Sequence, residues 1–246
     1  MFVRKFFLTI FKPNLLEIER HKWIKKNIKL LQEDGSILDI GAGEQIFKDF
    51  CKHLKYTSQD LCEYDGTGKE GLQTGKWDTS NIDIISDAIS IPVESNSFDN
   101  ILCTEVLEHT AHPIKVLEEI YRILKPEGYA IITLPSMSMT HFAPYFYYSG
   151  FSKYFFKYHS NEIGFKIQEI KNIGGAFDLI FTIATGIRPA IKNQKGLKRI
   201  ILISTTYFIL FLTGILRITV GKLIAQDTVS ISTLVLLRKP NNKELL

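Results

Sequence analysis

The sequence predicts an α/β protein in which a doubly wound, mostly parallel sheet of seven strands carries helices on both faces. Short apolar runs alternate with amphipathic segments at the spacing of strand–helix–strand units, which impose parallel strands and right-handed crossovers. Two glycines follow the first apolar run, and an acidic residue ends each of the next three. Because open parallel sheets bind ligands outside the carboxyl ends of their strands, these residues predict a binding site at that edge.

The predicted elements follow one another in a regular order. An amphipathic helix over residues 14–32 comes first, because apolar side chains recur at helical spacing until Asp34-Gly35. Helices are also predicted at residues 44–54 and 113–125, the second of them beginning at Pro113. Strands are predicted at residues 36–40, 55–60, 82–88, 98–104, 129–135, 165–175 and 229–240.

The predicted domain organisation is an N-terminal helical cap, residues 1–34, followed by a main domain, residues 35–246. The main domain carries an apolar and basic insertion, residues 188–226, before its last strand. We do not expect a signal peptide, because the first apolar run is short, ends at Lys12-Pro13 and lacks a small-residue cleavage site. The first residues are either part of a helix packed on the body or a basic, aromatic arm that touches a membrane.

Charge is distributed unevenly along the chain. From Arg188 to the end, ten lysines and arginines stand against two acidic residues, so this tail carries +8 while the whole chain carries +4. A basic, apolar tail favours contact between residues 195–222 and a membrane surface over nucleic-acid binding. The uncharged stretch, residues 200–216, is shorter than the ~20 residues that span a bilayer, so we expect an interfacial or shallowly re-entrant insertion. The alternative is a helix buried against the body or in a dimer interface; the oligomeric state is left open.

The cysteines indicate the cellular compartment. Cys51, Cys62 and Cys103 form no CxxC pair, so neither a disulfide framework nor a zinc site is expected. Free cysteines are typical of a reducing compartment, which predicts a cytoplasmic protein, peripheral on the inner face of the cell membrane if the tail binds lipid. We expect no metal site, because no group of histidines and carboxylates has ligand spacing along the chain.

Four motifs occur in order. They are LDIGAGE at residues 38–44, Asp60-Leu61, SDAISIPVESNSFDNILCTEVLEH at residues 86–109, and LKPEGYAIITLP at residues 124–135. Together they resemble the motifs of class I S-adenosylmethionine-dependent methyltransferases over residues 28–135 and again at the last strand. The resemblance implies a Rossmann-like sheet, S-adenosylmethionine as cofactor and methyl transfer as the reaction.

The resemblance also assigns roles to the glycine-rich loop. Gly41 and Gly43, with Ala42 between them, would lie under the methionine portion and the ribose of the cofactor. Asp39 would hold the loop and the amino acid end of the cofactor. Many members have a third glycine two residues later, where this chain has Gln45. This departure affects the expected geometry of the loop and leaves the expected fold unchanged.

Further cofactor contacts are implied at the ends of the next strands. Asp60, followed by Leu61, would accept hydrogen bonds from both ribose hydroxyls, which suits the two oxygens of a carboxylate. Asp87 would take the exocyclic amine of adenine, and Ala88 would donate its backbone N–H to the ring. Glu105 would sit at the tip of the fourth strand beside the cofactor.

Methyl transfer to an oxygen or nitrogen atom also needs proton removal. The candidate catalytic residues are His141 and His109, whereas His112 is read as a helix-start residue. The aromatic cluster at residues 145–148 is either a lid over the substrate or helix core. The expected acceptor is a small molecule, a glycan or a lipid-linked compound, methylated at oxygen. Two alternatives stay open: an NAD-type oxidoreductase, since GxG also occurs in dinucleotide sites, and a catalytically inactive methyltransferase-like scaffold.

Overall fold

A computed structural model of the protein describes residues 15–187, 191, 193–220 and 228–241. The helices within these ranges are α1 (Leu15–Ile28), α2 (Pro113–Ile123), α3 (Lys153–Ile163), α4 (Ala176–Gly186) and α5 (Gly196–Thr219). The strands are β1 (Ser36–Ile40), β2 (Lys55–Asp60), β3 (Ile84–Ile85), β4 (Phe98–Thr104), β5 (Leu124–Pro135), β6 (Lys166–Ile173) and β7 (Ser232–Arg238).

The strands form one seven-stranded sheet in the order β3-β2-β1-β4-β5-β7-β6. β1 to β5 pair in parallel, and β7 pairs antiparallel to β5. β2 and β3 lie on one side of β1, whereas β4 and the later strands lie on its other side, so the direction in which strands are added reverses between β3 and β4. This arrangement confirms the predicted α/β class, and it places the switch point of the sheet at the tips of β1 and β4.

The chain divides into two compact units, one formed by Met1–Glu19 with Asn172–Ile231 and the other by Arg20–Lys171 with Ser232–Leu246. The predicted cap, residues 1–34, and the predicted insertion, residues 188–226, extend outside the described residues, so both stay predictions. The basic residues 188, 192, 222 and 243 of the predicted tail also lie outside the described part.

The core of the larger unit consists of the central strands and α2. β1, β4 and the second half of β5, from Ala130 to Pro135, are almost entirely buried, as strands covered on both faces of a parallel sheet should be. Leu117 and Ile120 recur at helical spacing on the buried face of α2, and both are fully buried. The helix begins at Pro113, whose fixed φ suits the first turn.

The smaller unit contains α4 and α5, which pack against each other. Phe181 and Ala184 of α4 are buried with Leu210 of α5. Arg217 forms an ion pair of 2.6 Å with Asp178 and lies 4.4 Å above the ring of Phe181. The uncharged stretch, residues 200–216, forms the middle of α5, which is 24 residues long.

Three local predictions were wrong. The predicted helix at residues 44–54 is a series of turns with one 3-10 turn, Lys48–Cys51, because Gln45 has a left-handed φ of +56° that an α-helix cannot include. The predicted third strand is only two residues long, Ile84–Ile85. The aromatic cluster at residues 145–148 lies in a non-helical segment, which excludes the helix-core reading.

Candidate active site

A cavity of about 360 Å³ lies at the carboxyl edge of the sheet in the larger unit. It is formed where β1, β2 and β4 end, which is where the sequence predicts a site. Of the predicted cofactor and catalytic residues, Gly41, Asp60, Leu61, Asp87, Ala88, Glu105 and His109 line it. Asp39, Ala42, Gly43 and His141 do not line it, and their positions are described below.

The glycines of the first loop are required by backbone geometry and close packing. Gly41 has a φ of +65°, and a Cβ at this position would lie 2.4 Å from Cγ2 of Val106. Gly43 has a φ of +49°, and its N–H donates to Oδ2 of Asp60 at 2.9 Å. The N–H of Ala42 donates to the carbonyl of Gln59 at 3.0 Å. The loop is thus tied to the tip of β2. A side chain at Gly41 would collide with Val106, whereas Gly43 is favoured by its left-handed φ alone, because a Cβ there would lie 3.7 Å from Trp77, at ordinary contact distance.

Asp39 lies beneath this loop, at the end of β1. It is buried, and its Oδ2 accepts a hydrogen bond of 2.7 Å from the Tyr56 hydroxyl. Its Oδ1 has no hydrogen-bond partner among the described residues. Burial, with a smaller contribution from the charge of Asp60, raises the pKa of Asp39 to about 7.

The carboxylate of Asp60 is held by backbone donors on both sides. Its Oδ1 accepts from the N–H of Cys62 at 2.8 Å, and its Oδ2 accepts from Gly43. A carboxylate has about four lone-pair sites, so each oxygen can accept a second hydrogen bond from a ligand in the cavity. Asp87 is oriented similarly, because its Oδ1 accepts from the N–H of Ile89 at 3.1 Å.

Glu105 directly follows β4 and has a left-handed φ of +54°. Its Oε1 accepts from the Thr133 hydroxyl at 3.0 Å, and its Oε2 forms an ion pair of 2.6 Å with Arg20 of α1. Arg20 could not be predicted from the sequence, because no motif contains it and 85 positions separate it from Glu105. The first helix therefore helps to position the carboxylate of Glu105, which lines the cavity.

The two candidate histidines lie together. Their ring centroids are 4.7 Å apart in a T-shaped arrangement. Nδ1 of His109 lies 2.5 Å from the carbonyl of Tyr145, and Nδ1 of His141 lies 2.9 Å from the carbonyl of Met139. Burial lowers the pKa of His109 to about 4, so its imidazole is neutral at pH 7. His112 immediately precedes α2, as predicted, and also lines the cavity.

Glu108 lies beside the two histidines and was not among the residues predicted from the sequence. It belongs to a short 3-10 turn, Leu107–His109, that follows β4 and directs its side chain into the interior. Burial, together with the charge of Glu105, raises the pKa of Glu108 well above its usual value. One donor atom from each of Glu108, His109 and His141 lies within 4.8 Å of the others. The fold thus assembles a histidine–carboxylate group that was not expected, because His141 lies 32 positions beyond His109.

The cavity wall is acidic on one side and aromatic on another. Among the described residues that line it are four carboxylates and no lysine or arginine; the carboxylates belong to Asp60, Glu63, Asp87 and Glu105. The aromatic side chains are Tyr64, Trp77, Phe142, Tyr145 and Tyr147. The carboxylates favour a positively charged ligand, and the aromatic side chains favour an aromatic or apolar group beside it.

The sequence and the fold are similar to those of known proteins. A family model described as a methyltransferase domain matches residues 15–163. A demethylmenaquinone methyltransferase of Chlamydia trachomatis serovar L2 is 25% identical over 108 residues, which are 44% of this chain and 47% of the relative. The chain therefore spans about half the length of the curated relatives that it matches.

Solved structures share the fold at low sequence identity. A SAM-dependent methyltransferase from Archaeoglobus fulgidus superposes with a TM-score of 0.52 and 16% identity, over 91% of this chain and 94% of that chain. Phosphoethanolamine N-methyltransferase 2 of Haemonchus contortus, in complex with S-adenosyl-L-methionine, gives a TM-score of 0.52 and 18% identity, over 91% of this chain and 53% of that chain.

Proposed function

Because this chain belongs to the methyltransferase-domain family, we propose that it is an S-adenosylmethionine-dependent methyltransferase and that the cavity at the carboxyl edge of its sheet binds that cofactor. We further propose that the methyl group goes to a hydroxyl oxygen of a small-molecule, glycan or lipid-linked acceptor. The observation that carries the proposal is the group of carboxylates that line the cavity at the strand ends, which includes Asp60.

The charge of the cavity suits S-adenosylmethionine. The cofactor carries a sulfonium and an ammonium group, and the four carboxylates of the wall favour a cation. The buried Oδ1 of Asp39, which lacks a partner among the described residues, lies at the same edge and is a further acceptor. A nicotinamide dinucleotide carries a negatively charged diphosphate, which the same wall repels. The acidic wall therefore argues against the oxidoreductase alternative.

The proposed contacts follow from the positions of the strand tips. Asp60 would accept from the ribose hydroxyls while Gly43 and Cys62 hold its carboxylate in place. Gly41 would allow the cofactor to approach the backbone closely. Asp87 and Ala88 would bind the adenine end of the cofactor.

Around the amino acid end, Asp39 and Ala42 would shape the loop under the cofactor. Leu61 would pack beside the ribose, and Glu105 would face the charged end of the cofactor. These roles use the residues of the cavity wall together with those directly beneath it.

The bound cofactor would supply a methyl group on a good leaving group, so positioning of the acceptor provides much of the rate. His109 lines the cavity with a neutral imidazole, and a donated Nδ1 proton leaves Nε2 free to accept. We assign proton removal from the acceptor to His109, with His141 packed against the edge of its ring. The aromatic side of the cavity would stack on a sugar ring or an apolar portion of the acceptor.

We also propose that α5 contacts a membrane surface from the cytoplasmic side. It is the one helix among the described residues that is long and apolar enough to cross a membrane, and only 22% of its apolar window is buried. Leu197, Ile200, Phe208 and Leu212 form an exposed apolar face, whereas Thr206 and Thr213 are buried. Exposed Lys198 and Arg199 could meet anionic headgroups.

The cofactor site is tested by Asp60→Ala. Losing two hydrogen bonds to a charged acceptor should weaken S-adenosylmethionine binding by about 100-fold or more in calorimetry. Asp49→Ala, which removes an exposed carboxylate paired with Lys52, is the matched control and should bind normally. Unchanged affinity of Asp60→Ala, or tighter binding of NAD than of S-adenosylmethionine by the wild type, would contradict the assignment. Transfer of labelled methyl from the cofactor to fractionated membrane or glycan extracts would identify the acceptor.

A further inference from the structure

The carboxylate of Glu108 has no role in the proposed function. The residue is completely buried, and neither Oε1 nor Oε2 has a hydrogen-bond partner among the described residues. An ionised carboxylate is very costly to bury without compensation, and buried charges in proteins are paired or coordinate metals. Nε2 of His109, 3.7 Å from Oε1 of Glu108, also lacks a hydrogen-bond partner in the described part of the chain.

The two imidazole rings beside Glu108 are oriented by backbone carbonyls. Tyr145 and Met139 each present a carbonyl oxygen to Nδ1 of one ring. Because a carbonyl can only accept, Nδ1 carries the proton in both rings, and Nε2 keeps its lone pair. Histidines that bind metals are commonly oriented in this way, with one nitrogen donating to a carbonyl and the other facing the ion.

We propose that Glu108, His109 and His141 form a binding site for one divalent transition-metal ion of the zinc type. Two imidazole nitrogens and one carboxylate oxygen are a known ligand set of zinc sites that keep a coordination position open. Imidazole ligands favour such ions over Mg²⁺ and Ca²⁺, which prefer oxygen. The 3.7 Å between Glu108 and His109 is long for a hydrogen bond and close to the ~3.4 Å between two ligand atoms on one tetrahedral ion.

The open coordination position would serve the acceptor, because His109 lines the cavity. An acceptor oxygen bound to the ion would be fixed in position and made more acidic, as metal-bound water is. The two histidines would then act through the ion and not as free bases. This role rests on the proposed function, whereas the metal site itself does not.

The site is tested on the whole chain with metal ions alone, without cofactor or acceptor. Dialysis against Zn²⁺ followed by elemental analysis should give one ion per chain, and Co²⁺ used as a probe should show the absorption of a four- or five-coordinate centre. Glu108→Gln and His141→Ala should each weaken Zn²⁺ binding by at least roughly tenfold, since even the loss of a residue that only orients a ligand has that effect. Glu108→Gln keeps the side-chain volume, and His141→Ala removes a partly exposed ring. If one of the two variants fails to fold, the other still tests metal binding.

His159→Ala is the matched control, because His159 contacts Phe155 and Tyr158 in α3 and is outside the cluster. It should bind Zn²⁺ like the wild type. Equal Zn²⁺ affinity of the wild type, Glu108→Gln and His141→Ala would overturn the site, and so would tighter binding of Mg²⁺ than of Zn²⁺. Metal binding without methyl transfer would leave the site standing and count against the proposed function alone.

Discussion

At the scale of single residues, the site places acidic groups where their protonation is linked to folding. Asp39 and Asp83 are a contrasting pair near the same strand ends. Burial raises the pKa of Asp39 to about 7, whereas hydrogen bonds from the backbone and hydroxyl of Ser58 lower the pKa of Asp83. The two carboxylates should therefore affect stability in opposite directions as the pH changes.

Asp39→Asn tests this difference. The folded wild type retains the Asp39 proton between the unfolded pKa of 3.8 and the folded pKa of about 7, so its stability falls as the pH rises through that window. The amide side chain of the variant cannot ionise. The free energy of unfolding of the variant, minus that of the wild type, should therefore rise over this pH range by up to about 4 kcal/mol and level off above pH ~7. Urea unfolding of both proteins at several pH values measures this difference in the free energy of unfolding.

Asp83→Asn is the control for the pH series. Its folded pKa is lowered, so the wild-type carboxylate stabilises the protein above its unfolded pKa, and this contribution is lost as the pH falls through the lower folded value. Asp83→Asn should therefore be less stable than the wild type at neutral pH. A pH-independent difference between the wild type and Asp39→Asn would contradict a raised Asp39 pKa.

At the scale of elements, α2 fixes the segment that carries Asp87 and Ala88. Glu119 on this helix is buried, and its Oε1 accepts from the N–H of Ile91 at 2.7 Å. Arg122 donates to Oε2 of Glu119 at 2.7 Å, to the carbonyl of Ile91 at 3.0 Å and to the carbonyl of Val93 at 2.8 Å. A helix on one face of the sheet thus positions the loop after β3 through charged hydrogen bonds.

Arg122→Met should remove these bonds and leave the buried Glu119 carboxylate poorly compensated. We expect the free energy of unfolding to fall by about 2–3 kcal/mol, measured by urea denaturation. Lys52→Met is a matched control, because Lys52 pairs with Asp49 at the same three-residue spacing but on an exposed surface. That change should cost less than about 0.5 kcal/mol. Equal losses in the two variants would show that the α2 network does not stabilise the fold.

At the scale of the whole molecule, α5 carries seven of the 21 exposed large apolar side chains among the described residues. Replacing Ile200, Phe208 and Leu212 by Gln should abolish flotation with vesicles that contain anionic lipid, because each exposed apolar side chain contributes ~1.5–3 kcal/mol when buried. High salt should weaken wild-type flotation, since the flanking cations are screened. Flotation of the variant at the wild-type level would reject membrane contact through α5.

The control for flotation replaces exposed Leu30, Tyr154 and Tyr158 by Gln, which removes a similar amount of apolar surface elsewhere. This variant should float like the wild type. Size-exclusion chromatography of the same proteins separates membrane contact from the alternative of a dimer interface. Loss of a dimer in the α5 variant, with flotation unaffected, would support that alternative.

The sequence by itself determined the fold class and the edge of the sheet at which the cavity lies. Apolar runs of strand length that alternate with helical ones predict parallel strands, and all parallel strands end at the same edge. Asp60, Asp87 and Glu105 could therefore be placed together from sequence alone, and the structure puts all three on one cavity. Local patterns of this kind depend on neighbours only a few positions away.

Tertiary structure alone decided which distant residues complete the site. Arg20 reaches Glu105 from the first helix, and His141 reaches Glu108 and His109 from beyond β5. The helix predicted at residues 44–54 is absent for a similar reason, because the left-handed turn at Gln45 fits a loop that is tied to β2. Such contacts arise from packing between segments far apart in the chain, and no periodicity of charge or hydrophobicity along the sequence encodes them.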